Sequence, residues 1–97
     1  VAADFKIFVN KKNDHLHLKL IGEFDGSSAF ELINLLKEHC LRSGEIVIHT
    51  EDLSSIHPFG RQVFKKESNI LNKKSAKLIF TGEHAVKLTP RWCGTRP

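Results

Sequence analysis

Six histidines, two cysteines and a cluster of serines beside acidic residues are the groups in this chain able to do chemistry. His15 and His17 share one face of an alternating segment, and with His49 or His84 they could in principle grip a metal. Zinc takes three or four ligands converging at defined distances. Two histidines on an exposed strand face are ordinarily polar surface positions, so no metal and no other cofactor is expected. Cys40 falls on the apolar stripe of a helical segment and reads as a small core residue, while Cys93 lies in a tail beside Trp92. No spacing couples either cysteine to a histidine base, and a disulfide framework is not expected from the pair. Asp25 and Asp52 read as loop acids that cap turns, not as the paired carboxylates of acid–base catalysis. With no nucleophile–base set and no metal set, the chain reads as non-catalytic.

The stretch Ile48–Gly60 is more informative. An apolar strand end runs into an acidic-Leu-Ser turn at Asp52–Ser54, then Ser55, Ile56 and His57 lead to a helix opened by Pro58 and continued by Phe59, Gly60 and Arg61. Proline suits the first helical position because its missing N–H would have lacked a partner there anyway. It also holds His57 out of the helical region. Amides at such a helix start can receive an anion or an acidic side chain, a property every helix start shares. Phe59 is either an aromatic docking anchor on an exposed loop or a ring folded onto the sheet. The residues alone leave both open.

The elements that must position these groups follow from periodicity. Phe5–Val9 reads as a short strand, Asn10–Asp14 as turn chemistry. His15–Ile21 alternates cleanly, with Leu16, Leu18 and Leu20 on one face, which predicts a half-buried strand and an antiparallel hairpin. Ser28 with Glu31 has the capping-box pattern. Ala29, Leu32, Ile33, Leu36, Cys40 and Leu41 then repeat at helical spacing, and Gly44 is placed to stop that helix in a left-handed cap. Glu45–His49 is a β-branched strand. Val63, Phe64, Glu67, Ile70 and Leu71 continue the Pro58 helix to Asn72–Ser75. Ala76–Thr81 is a strand, and Ala85–Leu88 a last short helix stopped by Pro90. The fold class is α/β: a mixed β-sheet, an N-terminal hairpin then β-α-β-α-β, with helices packed against it.

Ninety-seven residues with no Gly/Ser- or Pro-rich linker read as a single domain spanning 1–97. The formal charge of +4 invites a nucleic-acid reading. The lysines are nevertheless scattered in pairs, and one tryptophan with no tyrosine leaves few platforms for stacking bases. No nucleic-acid partner is expected. No apolar run approaches the ~20 residues of a membrane span, so no membrane insertion is expected. An N-terminus carrying Asp4 and Lys6 lacks the apolar core of a signal peptide. The expected location is cytoplasmic.

Three segments, in order and spacing, resemble the STAS domain, the family of bacterial anti-sigma factor antagonists. They are Leu20–Asp25, Ile46–Ile48 through Asp52–Ser54, and Leu78–Gly82 with Ala85–Leu88. The resemblance implies a non-catalytic protein–protein interaction module in bacterial signalling and transcription regulation, with an anti-sigma factor or kinase-like protein as partner. It places partner contacts at Asp25 and Ser27, and at Ser55, His57, Pro58, Phe59, Gly60 and Arg61. Phosphoregulated relatives read D-S-S-G or D-S-T-G at the loop, where this chain reads His57-Pro58-Phe59-Gly60. Phe59 has no hydroxyl to accept a phosphoryl group, so the usual phosphoacceptor is absent. Ser55 is the displaced candidate, weighed against the local hydrogen bonding that commonly places serine in turns. Binding is then constitutive or controlled elsewhere. The chain also departs from the family after Pro90, which reads as a tail.

The resemblance carries an alternative: an accessory subunit of a transporter, or a small-ligand or lipid-binding domain. An apolar pocket between the sheet and the last helix would favour it, and a filled core the interaction module. Monomer and dimer both remain open.

Overall fold

The computed structural model describes residues 5–40, 44–73 and 77–90. The elements run β1 (Lys6–Lys12), β2 (His15–Phe24), α1 (Gly26–His39), β3 (Glu45–His49), β4 (Leu53–Ile56), α2 (Pro58–Glu67), a 3-10 segment (Ser68–Lys73), β5 (Lys77–Thr81) and α3 (Ala85–Leu88). β1 and β2 form the expected antiparallel hairpin, turning at Asn13 with φ 53°. Asparagine tolerates that left-handed conformation better than most residues. β3 lies parallel to β2 and β5 parallel to β3, giving the order β1-β2-β3-β5.

β4 is a correction to the sequence reading, which made Asp52–Ser54 a turn. Leu53–Ile56 pairs in parallel with the far end of β2, Gly22 opposite Leu53 and Phe24 opposite Ile56, with an irregularity between Gly22 and Glu23. Gly22 has φ 103°, a backbone conformation glycine adopts at little cost. That break lets β2 leave β3 after Lys19 and take β4 as its neighbour.

The alternating residues of β2 fall as their period requires. Leu16, Leu18 and Leu20 are fully buried, joined by Ile46 and Ile48 of β3 and Leu78 of β5. α1 lays Ala29, Leu32, Ile33 and Leu36 onto them, and Cys40 caps its end inside the core. Three edge-to-face aromatic pairs run through the core, Phe5–Phe24, Phe24–Phe64 and Phe64–Phe80, with ring centroids 5.8–6.0 Å apart.

Further corrections are local. Gly44 is not the cap of α1, which is Cys40; its N–H donates to the Asp14 carbonyl at 3.1 Å. The α-helix opened by Pro58 ends at Glu67 and tightens into the 3-10 segment. The tighter winding rotates the stripe, so Leu71 is buried but Ile70 is exposed. Leu41, Lys74–Ala76 and the tail with Trp92 and Cys93 lie outside the described residues. No described helix is long and apolar enough to cross a membrane.

Candidate functional site

β2 and β4 run in the same direction and finish opposite one another, at Phe24 and Ile56. One residue follows each strand before a helix begins: Asp25 before α1 and His57 before α2. Two helix starts therefore lie side by side. The His57 N–H donates to the Phe24 carbonyl at 2.9 Å and fastens the two junctions.

Gly60 makes the approach possible. A Cβ there would stand 2.7 Å from both the carbonyl carbon and the oxygen of Asp25, nearer than packed atoms come. The two predicted segments thus meet where Asp25 and Gly26 face Phe59 and Gly60. Phe59 is 66% exposed and Pro58 and His57 are also exposed. The Phe59 ring does not fold onto the sheet: it lies over Gly26, where an added Cβ would meet it at 2.8 Å.

Asp25 is the N-cap of α1. Its Oδ1 accepts from the Ser28 N–H at 2.9 Å, with the Ser28 hydroxyl at 2.9 Å and the Ser27 hydroxyl at 3.2 Å. The Ser28 N–H bond first, then its hydroxyl, hold the Asp25 carboxyl below the ordinary value of 3.8 against the opposing effect of burial; the Ser27 hydroxyl and the nearby His57 add to the lowering. This replaces the predicted Ser28–Glu31 capping box. Strand pairing persists to Phe24, so the helix opens at Gly26 and Ser28 falls in its first turn, where its amide donates.

The other predicted residues divide. His57 Nε2 stands 3.3 Å from Glu23 Oε1 and offers α2 no side-chain cap. Arg61 donates from Nε to the Lys87 carbonyl at 3.1 Å, joining α2 to α3. Ser55 is half-buried on β4 opposite Glu23, in a strand where a turn was expected, and Ser54 is exposed.

Sequence reasoning missed Phe30, which is 49% exposed. It sits one turn along α1 from Gly26, on the side that carries Phe59. Its signal was available: a large aromatic off the apolar stripe of Ala29, Leu32, Ile33 and Leu36. An open cleft of about 390 Å³ adjoins the paired helix starts, lined by Ile56, Pro58, Arg61, Gln62, Lys65 and Lys87. It differs from the apolar pocket that the small-ligand alternative requires. Between sheet and last helix, Leu88 and Phe64 are fully buried and Phe80 packs against the same core.

The histidines come together only in part. His17 Nδ1 lies 2.9 Å from His49 Nε2, with the ring planes 12° apart and centroids 5.2 Å apart. The centroid separation exceeds the nitrogen separation by about one ring's width. The rings therefore lie end to end in nearly one plane, joined by an N–H···N bond rather than stacked. His49 Nδ1 in turn meets the Thr81 hydroxyl at 3.0 Å. His15 pairs with Glu45 at 2.6 Å, and His84 with Glu83 at 3.4 Å. Among the described residues no three potential metal ligands converge.

The sequence matches no family model and no curated protein. Solved structures share the fold. Mglu in its native form superposes with a TM-score of 0.69 and 12% identity, over 84% of this chain and 27% of Mglu. An uncharacterized protein with a SpoIIAA-like fold from Shewanella loihica PV-4 gives 0.60 and 15%, over 86% of this chain and 70% of that one. An anti-sigma factor antagonist from Mycobacterium paratuberculosis gives 0.61 and 15%, over 87% and 73%. The chain spans only 18–27% of the Mglu chains. The mixed sheet with helices packed on it is a SpoIIAA-like, STAS-like fold.

Proposed function

We propose that this chain is a non-catalytic docking module of a bacterial signalling pathway that controls transcription, acting in the cytoplasm as a single domain. Its partner is a protein of the anti-sigma factor, kinase-like type. The observation that carries this reading is Phe59, 66% exposed on a backbone packed closely against Asp25 at Gly60. Exposing a phenylalanine forgoes roughly 1.5–3 kcal/mol of burial, and an aromatic anchor recovers it when a partner covers the ring. The fold shared with an anti-sigma factor antagonist supports the same reading. Around the ring, Pro58 and His57 supply shape, and Asp25, Ser27 and Arg61 supply polar contacts.

Phosphorylation at the helix start would place about −1.5 to −2 charges beside the α2 N-terminus. Phe59 cannot carry them, so docking is constitutive unless another residue is modified. Ser55 is the remaining candidate, but a phosphoryl group there would stand beside Glu23, its strand partner, and like charges oppose it. Mass spectrometry after incubation with a cognate kinase, showing no added phosphate on Ser55, removes that route.

The reading is tested by capture of an anti-sigma-type ATPase on the immobilised chain. Recovery is expected from the wild type and lost in Phe59→Asp with an unchanged circular dichroism spectrum. Equal recovery by the variant would count against this surface.

A further inference from the structure

We infer that the cleft between α2 and α3 receives an acidic segment of the protein partner, one in which carboxylates flank an apolar side chain. This deepens the docking reading and rests on it. Of the residues lining the cleft, Arg61, Lys65 and Lys87 are cationic, Gln62 is neutral and none is acidic. The carboxylates of the described ion pairs meet Lys19 and four histidines, and none of those pairs involves Arg61 or Lys87. Arg61 uses its Nε on the Lys87 carbonyl, which orients the guanidinium at the junction of α2 and α3, where Lys87 also lines the cleft. A guanidinium held in one orientation favours a carboxylate, which it can grip with two parallel bonds.

The apolar requirement comes from the same lining. Ile56 and Pro58 form the uncharged part of the cleft. A small free anion would use the cations and leave these surfaces wet. A single-stranded nucleic acid would want aromatic platforms for its bases, and the cleft lining has none. Charge and apolar area together fit a peptide.

The test titrates the isotopically labelled whole chain with four probes and follows amide shifts. The probes are an octapeptide of Asp and Glu around a central Leu-Phe, the same peptide with Ser-Ser at the centre, oligo-dT, and inorganic phosphate. Saturable shifts are expected at Arg61, Gln62, Lys65 and Lys87 with the first peptide. Binding should be at least about five-fold weaker with the serine peptide, a difference near 1 kcal/mol. Arg61→Glu with Lys87→Glu should abolish the shifts, and Lys87→Glu alone, an exposed change, should weaken them without moving the melting temperature. Shifts spread over Lys6, Lys12 and Lys19, or equal binding of oligo-dT or phosphate at the cleft, would overturn the inference.

Capture by Phe59→Asp separates the two readings. Peptide binding with capture indifferent to that change removes Phe59 as the anchor and leaves the cleft standing. Capture lost in Phe59→Asp with no peptide binding sinks the cleft alone.

Discussion

At the scale of single residues, two glycines look alike in sequence and differ in what surrounds them. A Cβ at Gly60 would strike the Asp25 backbone at 2.7 Å, whereas one at Gly26 would strike the Phe59 ring at 2.8 Å. Backbone cannot give way without moving a helix start; an exposed ring can swing aside. Gly60→Ala is therefore expected to cost about 1–3 kcal/mol, the range of overpacked sites, and Gly26→Ala less than about 0.5 kcal/mol. Urea denaturation of both variants checks the difference, and equal losses would mean the Phe59 ring is as immobile as backbone. Asp25 is the other decisive residue. Removing its cap in Asp25→Ala is expected to cost about 0.5–2 kcal/mol at neutral pH. Because its carboxyl sits below the ordinary 3.8 in the folded chain, that stabilisation is present above 3.8 and is lost as pH falls through the lowered value. Stability measured against pH should fall less steeply in Asp25→Asn over that window. An unchanged slope would show that other carboxylates dominate acid unfolding.

At the scale of elements, legibility followed local period. β2 and α1 announce themselves because Leu16, Leu18 and Leu20 alternate and Ala29, Leu32, Ile33 and Leu36 recur at helical spacing. Leu53–Ile56 has no such pattern; its extended form is imposed by the end of β2 beyond Gly22. The meeting of the two helix starts was equally hidden, since Gly60 resembles any glycine in a helix until the Asp25 backbone is placed against it. The family resemblance implies contacts at both segments, whereas their spacing in the chain implies none. The end-to-end His17–His49 bond was not legible either, because it joins residues two positions apart in the β2–β3 register. These dependencies make Gly22 a hinge between local and distant order. Gly22→Ala forces a side chain to φ 103°, at about 1–3 kcal/mol. If β4 depends on that break, the amide signals of Leu53 and Ile56 should move, and those of His57 and Gly60 with them. Shifts confined to Gly22's sequence neighbours would show that α2 is placed without β4.

At the scale of the whole molecule, Phe59 and Phe64 share a helix yet belong to different surfaces. Phe64 is fully buried and touches Phe24 on one side and Phe80 on the other, so it ties α2 to the end of β2 and to β5. Phe59 is mostly in water. Truncating Phe64 removes buried area and leaves a cavity, with an expected cost of about 3–5 kcal/mol in Phe64→Ala. Phe59→Asp removes little buried area and should change stability by no more than about 0.5 kcal/mol. Partner capture should run the opposite way. Below its melting temperature Phe64→Ala keeps the docking surface and retains capture, whereas Phe59→Asp is stable and loses it. Urea denaturation and capture measured on the same two preparations decide the matter. A Phe59→Asp variant as unstable as Phe64→Ala would make Phe59 a packing residue, and the exposed end of the molecule would then lack its anchor.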